Sequence, residues 1–174
     1  PPRYERFDSL GDGSFDLGRL NGQLNRRIGD SRVEWSFGLS RSRWGSVTTR
    51  EERGGTQPRE RIDDIVSRSR TASTKLKSST PVGDAHTVVV GAELERLQRD
   101  DRRGLVIGGQ PLFDDRLRAS TERWAVYAQD EWVLAPRIDL QLGLRGEGIT
   151  TRATAAGGGA AELHNRSTVW TPLL

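Results

Sequence analysis

Few side chains in this sequence combine the type and the spacing that bond-making chemistry needs. Cysteine is absent, which removes thiol nucleophiles, disulfides and cysteine-based zinc sites together. His86 follows a turn and His164 falls in a polar segment, and neither has a second ligand at metal-binding spacing. Glu93 and Glu95 are two residues apart, a spacing that puts both carboxylates on one face of a strand and would suit paired acid/base work. Gly157-Gly158-Gly159 lacks the strand-to-helix setting of a phosphate-binding loop. Arginine is what remains. Arg50, Arg53, Arg59, Arg61, Arg99, Arg102 and Arg103 lie in polar segments, and guanidinium groups pair bidentately with carboxylates or phosphates. They are the candidate ligand-binding residues; the plainer alternative is that they only solvate loops. No catalytic, cofactor or metal site is expected, and the chain does not read as an enzyme.

The elements that must position these residues show in the alternation of apolar and polar side chains. Ile138, Leu140, Leu142 and Leu144 alternate with Asp139, Gln141, Gly143 and Arg145, the period-two mark of a strand with one apolar face. Before a short Ala-Pro-Arg turn, Trp124, Val126, Ala128, Trp132 and Leu134 share one parity, with Asp130 as the single polar intruder. Val33, Trp35, Phe37 and Leu39 form another such strand, roughly 32–43, preceded across the turn at 29–31 by one over 15–28. A slip of parity near Gly18 predicts a bulge there. A third strand is expected over about 66–78, and a fourth begins at His86 with Val88, Val90, Ala92 and Leu94 on its apolar face. A seventh begins near Arg166, after a flexible small-residue loop from Ala153 to Ala161. The pattern predicts an all-β, antiparallel up-and-down meander of about seven strands.

Tight turns near 29–31, 79–85 and 134–137 alternate with long polar segments near 45–65, 98–118 and 150–165. In a meander this places every tight turn at one end and every long loop at the other, the asymmetry of a transmembrane barrel. Strands of about ten residues or more also suit a tilted bilayer crossing better than the ~5–6 residues of an average strand. Trp124 and Trp132 would stand about 20 Å apart along the membrane normal at ~3.3 Å per residue and ~40° tilt. That matches an apolar band between two aromatic girdles, with Trp35 near a tight turn and Phe15 and Trp44 near the long-loop ends. A soluble sandwich core is the alternative use of the same rings.

Composition fits thinly spread apolar residues. Only 33% of the chain is hydrophobic, and the mean hydropathy is −0.66, as expected where only alternate residues meet lipid. No run approaches the length of a transmembrane helix. The net charge of +3 is almost all arginine, with Lys75 and Lys77 the only lysines. The arginines are interleaved with acids, as in Arg99-Asp-Asp-Arg-Arg103, so no clustered nucleic-acid surface is expected. The chain opens at Pro1-Pro2 without an initiator Met and stops at Leu174 in mid-strand. It reads as a piece of a longer protein, and a missing export signal carries no weight.

Tyr127-Ala-Gln-Asp-Glu-Trp132, followed after a turn by Leu142-Gly-Leu-Arg145, resembles a barrel hairpin of TonB-dependent outer-membrane receptors. The stretch from Leu76 through Pro81-Val-Gly-Asp84 to Glu95 is similar to a receptor strand, periplasmic turn and returning strand, and Trp170-Thr-Pro-Leu-Leu174 to the start of a later strand. The resemblance implies a segment (1–174) of a transmembrane β-barrel of about 22 strands around a plug, in the bacterial outer membrane. It implies uptake of a scarce nutrient such as a ferric siderophore or vitamin B12, driven through TonB. Partners would be outer-membrane lipid, the plug of the same full-length chain, TonB through that plug, and the small-molecule ligand. No plug and no TonB box are recognisable, and the first strand should descend, so the segment is expected to begin after a receptor's first strand. On a barrel, Glu93 and Glu95 would face the lumen and meet the plug or a lumenal arginine. The arginines above would meet an anionic siderophore or lipopolysaccharide phosphate. Other outer-membrane barrels, porin-like or adhesin, and a soluble β-sandwich binding module remain alternatives.

Overall fold

The computed structural model describes residues 6–54, 58–135, 137–156 and 161–173. It contains seven strands: β1 (Arg6–Ile28), β2 (Ser31–Arg53), β3 (Arg59–Val82), β4 (His86–Ile107), β5 (Gln110–Ala135), β6 (Ile138–Ala156) and β7 (Ala161–Leu173). They form one antiparallel sheet in chain order, so β1 and β7 each have a single neighbour. The expected meander is what the chain forms. No second sheet packs against it among the described residues, so the aromatic rings do not fill a sandwich core.

Register assigns the two faces. Leu24, Trp35, Leu76, Ala92, Val126, Gly146 and Trp170 are successive cross-strand partners from β1 to β7, and side chains at paired positions share a face. That row and every second residue from it along each strand (odd-numbered on β2, even-numbered on the others) make an apolar face. The opposite face is polar at the same level, with Lys75, Glu93, Arg145 and Glu147. Burial runs opposite to a soluble protein. Leu94, Val126 and Leu144 are exposed, whereas the three buried apolar side chains (Val89, Leu105 and Ala125) all lie on the polar face. In a curved sheet the concave side crowds its side chains, so the polar face is the inner one and the apolar face looks outward.

Glycines opposite aromatic rings tighten the ladder. Phe37 covers Gly22, Trp124 covers Gly148 and Trp170 covers Gly146 on the apolar face; Tyr127 covers Gly91 on the polar face. A Cβ at Gly148 would stand 2.2 Å from Trp124 Nε1, and one at Gly91 2.2 Å from the Tyr127 ring. Each ring therefore lies flat in space that only glycine leaves open, a device for holding register in sheets.

The turns overturn one expectation. The long polar segments near 45–65, 98–118 and 150–165 are mostly strand: β2 and β3 pair from Arg32↔Ser79 out to Glu52↔Arg59, and β4 and β5 pair out to Ile107↔Gln110. Gly108 and Gly109, with φ of 56° and 76°, make a two-residue hairpin, where positive φ matches the twist of the flanking strands. The asymmetry lies in how far the strands run past the apolar band, not in loop length. From Leu39 to Arg53, β2 continues for fourteen residues beyond its last band residue, about 45 Å of chain at ~3.3 Å per residue. There both faces are mostly polar, so alternation of hydropathy fades while pairing goes on. The bulge expected near Gly18 is also absent: β1 and β2 pair without a shift from Arg6↔Arg53 to Ile28↔Ser31. Phe15 and Leu17 lie on the polar face and Leu20 on the apolar one. Register shifts occur instead at Leu105/Val106 and Val133/Ala135. The small-residue loop is shorter than expected, since β6 runs to Ala156 and β7 starts at Ala161; 157–160 lie outside the described residues, as does Pro136 of the β5–β6 turn. Trp44 and Phe15, directly paired, face inward rather than completing an outer girdle with Trp35.

Replacing Gly148 by leucine should eject the Trp124 ring and lower the stability of the full-length chain by about 1–3 kcal/mol. Urea unfolding followed by tryptophan emission measures it. A variant as stable as the parent would mean that the ring does not depend on the gap.

Candidate functional site

The inner face beyond the apolar band carries most of the candidate arginines. Arg50 on β2 is the direct partner of Arg61 on β3, and like charges placed opposite each other repel unless something negative sits between them. Asp63 supplies part of that charge. Arg103 donates to both of its oxygens, from Nε at 3.2 Å and Nη2 at 2.9 Å, and Arg61 approaches at 3.5 Å. Arg50 lies over the Phe7 ring at 4.9 Å. Ser46, Thr48, Arg50, Arg61, Asp63 and Ile65 line a cleft of about 190 Å³. Beside it Trp44, Ile65, Arg99, Asp101, Arg103 and Leu117 border a wider one of about 750 Å³. Mixed apolar walls with a few convergent charged groups are the usual make-up of a small-molecule site.

All seven candidate arginines stand on strands rather than in loops, at their far ends. Register brings Arg50, Arg59, Arg61, Arg99 and Arg103 to the inner face and sends Arg53 and Arg102 to the outer one. Five hold carboxylates: Arg53 with Glu51 at 2.6 Å, Arg61 and Arg103 with Asp63, Arg99 with Asp101 at 2.7 Å, and Arg102 with Asp114 through two bonds of 2.9 and 2.8 Å. Among the described residues Arg50 has no carboxylate within ion-pair distance, and the Arg59 Nε is buried without a partner. The partner acids Asp63, Asp101 and Asp114 were the residues missed. Their signal was present in the interleaving of acids with arginines: Arg53–Glu51, Arg61–Asp63 and Arg99–Asp101 are two residues apart on one strand, whereas Arg103–Asp63 and Arg102–Asp114 cross strands and need the pairing register.

A second inner-face group lies at the level of the band. Glu93 takes Lys75 at 3.4 Å and Arg145 at 3.6 Å, and Arg145 also pairs with Glu147 and lies 5.6 Å over the Tyr127 ring. Glu93 therefore meets an inner-face arginine, as expected, while Glu95 forms no ion pair among the described residues. Lys75, Glu93, Glu95, Arg123 and Arg145 edge a cleft of about 420 Å³. At the turn end His86 Nδ1 donates to Asp130 Oδ2 at 2.7 Å and its ring stacks on Trp132 at 5.1 Å. His86 opens β4, and His164 lies within β7 rather than in a loop. No group of three or more metal-ligating side chains occurs among the described residues, and the glycine run 157–159 lies outside them.

Charge pairing sets the acid response of the far end. Two bonds from Arg103 hold the Asp63 carboxyl below the usual carboxylate range, against partial desolvation. Arg116 does the same for Asp100, and Arg102 for Asp114.

Comparison with known proteins places the geometry. The family model for the TonB dependent receptor-like β-barrel matches residues 1–173. Among solved structures, the ferric yersiniabactin uptake receptor FyuA from Yersinia pestis is 18% identical with a TM-score of 0.51, over 82% of this chain and 24% of its own. The unliganded ferric citrate transporter FecA is 15% identical with a TM-score of 0.56, over 92% of this chain and 24% of its own. The chain thus spans about a quarter of the length of either, and at these identities the likeness is one of fold. No curated protein matches.

Lowered carboxyl pKa values contribute stability that is complete above the ordinary aspartate value of 3.8 and is lost as pH falls through the folded value. In the full-length chain, amide protection at the β3–β5 far ends, corrected for intrinsic exchange, should hold from about pH 7 to 5 and fall only below about pH 4. Asp63→Asn should abolish that acid step for β3. Loss of protection already above about pH 5 would assign the far end's stability to other groups.

Proposed function

The chain belongs to the TonB-dependent receptor family, of whose β-barrel it forms a part, and on that premise we propose that it is a wall segment of an outer-membrane uptake receptor. The observation that carries this reading is the match of an outward apolar band, confined to one face of a continuous meander, with strands that run on far past the band. Such strands cross a bilayer at the band and raise a rim above it. The turns at Gly29, Gly83 and Arg137 then lie on the periplasmic side and the Gly108–Gly109 hairpin outside the cell. The rest of the barrel, the plug and the contact to TonB come from elsewhere in the full-length chain.

The ligand class follows from the inner face of the rim. Arg50 opposes Arg61 without a carboxylate of its own among the described residues, Asp63 being held by Arg61 and Arg103, beside clefts walled by Trp44, Ile65 and Leu117. This arrangement suits a compact anionic ligand with apolar surface, such as a ferric siderophore. The neighbours named for ferric yersiniabactin and ferric citrate support that class. The band-level ion pairs around Glu93 and Arg145 face the space a plug would occupy.

Deleting the full-length gene should abolish uptake of a ferric siderophore as sole iron source, and removing TonB should do the same. Arg50→Gln should weaken ligand binding to the purified receptor about tenfold, measured by fluorescence titration. Uptake that persists without TonB would sink the reading. Orientation is tested separately: Leu142→Arg on the outward face should cost about 2–4 kcal/mol in refolding into vesicles, and Gln129→Arg on the inner face far less. Equal costs would refute the assignment of faces.

A further inference from the structure

Five aromatic rings lie on the inner face among the described residues, and two of them lack cover. Arg50 lies over Phe7 at 4.9 Å, Arg103 over Phe113 at 5.8 Å and Arg145 over Tyr127 at 5.6 Å. Among the described residues Phe15 and Trp44 have no guanidinium over them and stack on no other ring. The two are direct partners on β1 and β2, and they stay 64% and 43% exposed. Trp44 has Ser42 and Ser46 beside it on the same face of β2 and Ser67 across on β3, all too short to cover an indole.

The bare indole borders the cleft of about 750 Å³. From Trp44 the cleft follows one cross-strand row through Ser67, Asp101 and Leu117 to Ala155. Trp44 and Leu117 are three strands apart, ~14 Å at the usual strand spacing. Arg99 and Arg103 flank that row on β4, one step to either side. Arg99 meets Asp101 through Nε alone, and Arg103 leaves Nη1 free of Asp63, so both guanidinium groups keep N–H donors for a ligand. An aliphatic anion would use those donors and leave the indole bare. A neutral sugar would stack on the indole and leave the donors unanswered. A flat ring with anionic oxygens at its edge uses both, its face on the indole and its oxygens toward the guanidinium groups. Phenolate and catecholate groups are built that way; carboxylate and hydroxamate groups on aliphatic chains are not.

We propose that this cleft selects ferric chelates whose iron-binding groups are aromatic, phenolate or catecholate, over aliphatic ones of similar charge, and that Trp44 with Phe15 is the platform that makes the choice. Arg99 and Arg103 attract either kind of anion, so the discrimination falls to the rings. Stacking against an aromatic side chain adds to the area that the contact buries, and only an aromatic chelate gains it. The proposal rests on the uptake reading above and narrows its ligand class.

The test uses the full-length receptor in detergent, with the iron(III) complexes of a tris-catecholate and of citrate as probes and equilibrium dialysis of iron as readout. Both complexes are anionic, so charge of one sign does not separate them. The tris-catecholate complex should bind about tenfold tighter, and Trp44→Ala should remove most of that preference while citrate binding stays within about twofold. Trp44→Phe should keep most of it. Equal binding of the two complexes, or a preference that survives Trp44→Ala combined with Phe15→Ala, overturns the proposal. Oxidative footprinting of the unaltered receptor decides the matter even if a variant fails to fold. The redox-inert gallium(III) tris-catecholate should shield Trp44 from oxidation, and the gallium(III) citrate complex should not. A Trp44 already shielded in the free receptor, or shielded as well by a neutral trisaccharide, overturns the proposal. Binding of neither iron complex would sink the uptake reading and the proposal together, whereas equal binding sinks the proposal alone.

Discussion

Everything in this structure depends on backbone pairing that runs from strand to strand through the whole apolar band. In hydrocarbon each unpaired N–H or C=O costs several kcal/mol, so a spanning segment must satisfy its polar backbone within the protein. β2 to β6 satisfy both backbone edges with their neighbours and β1 and β7 one edge each, and the two register shifts lie outside the central rows of the band. There is almost no core in the usual sense: three buried apolar side chains among the described residues are too few to hold a sheet of seven strands together. Cohesion comes from the ladder, from cross-strand side-chain pairs and from what lies against the outward face.

The same pairing separates the tasks of the two faces. Because side chains alternate, each strand offers one set of residues to the apolar face and an independent set to the polar face. Arg145 can hold Glu93 and Glu147 inside while Leu144 and Gly146 meet the outward environment one residue away. The aromatic–glycine pairs bind the two systems to a common register. Slipping β5 against β6 by one residue would drive Trp124 away from Gly148 and bring side chains of the wrong face together. Charge beyond the band then acts locally. Asp63, Asp100 and Asp114 each tie arginines of adjacent strands, and the exposed setting makes each tie modest by itself.

Much of the fold was legible in the sequence because the band is where hydropathy and geometry coincide. Val33 to Leu39 and Ile138 to Leu144 announced their strands through alternation alone, and Trp124 and Trp132 shared a face as their spacing required. The far ends were misread for the complementary reason. From Arg41 to Arg53 both faces are polar, so a hydropathy alternation has nothing to alternate. The Gly108-Gly109 pair was a usable hairpin signal in the middle of a segment taken for loop. The slip near Gly18 was real as a change of hydropathy, from inward Phe15 and Leu17 to outward Leu20, but it marked the edge of the band rather than a bulge. The seven candidate arginines, read as loop residues, stand on the far ends of strands. Their division into five inward and two outward residues, and the cross-strand partners of Arg102 and Arg103, needed pairing register, which depends on contacts between residues up to about fifty positions apart.

The two-residue turn at Gly108 and Gly109 also has an evolutionary meaning. A hairpin that is paired to its tip can gain or lose one residue on each arm without moving any partner below it. The rim could therefore grow or shrink by whole rungs while the band, its aromatic–glycine pairs and its facing stayed as they were. Lineages could reshape what the rim borders by changes in height alone, leaving the apolar band untouched.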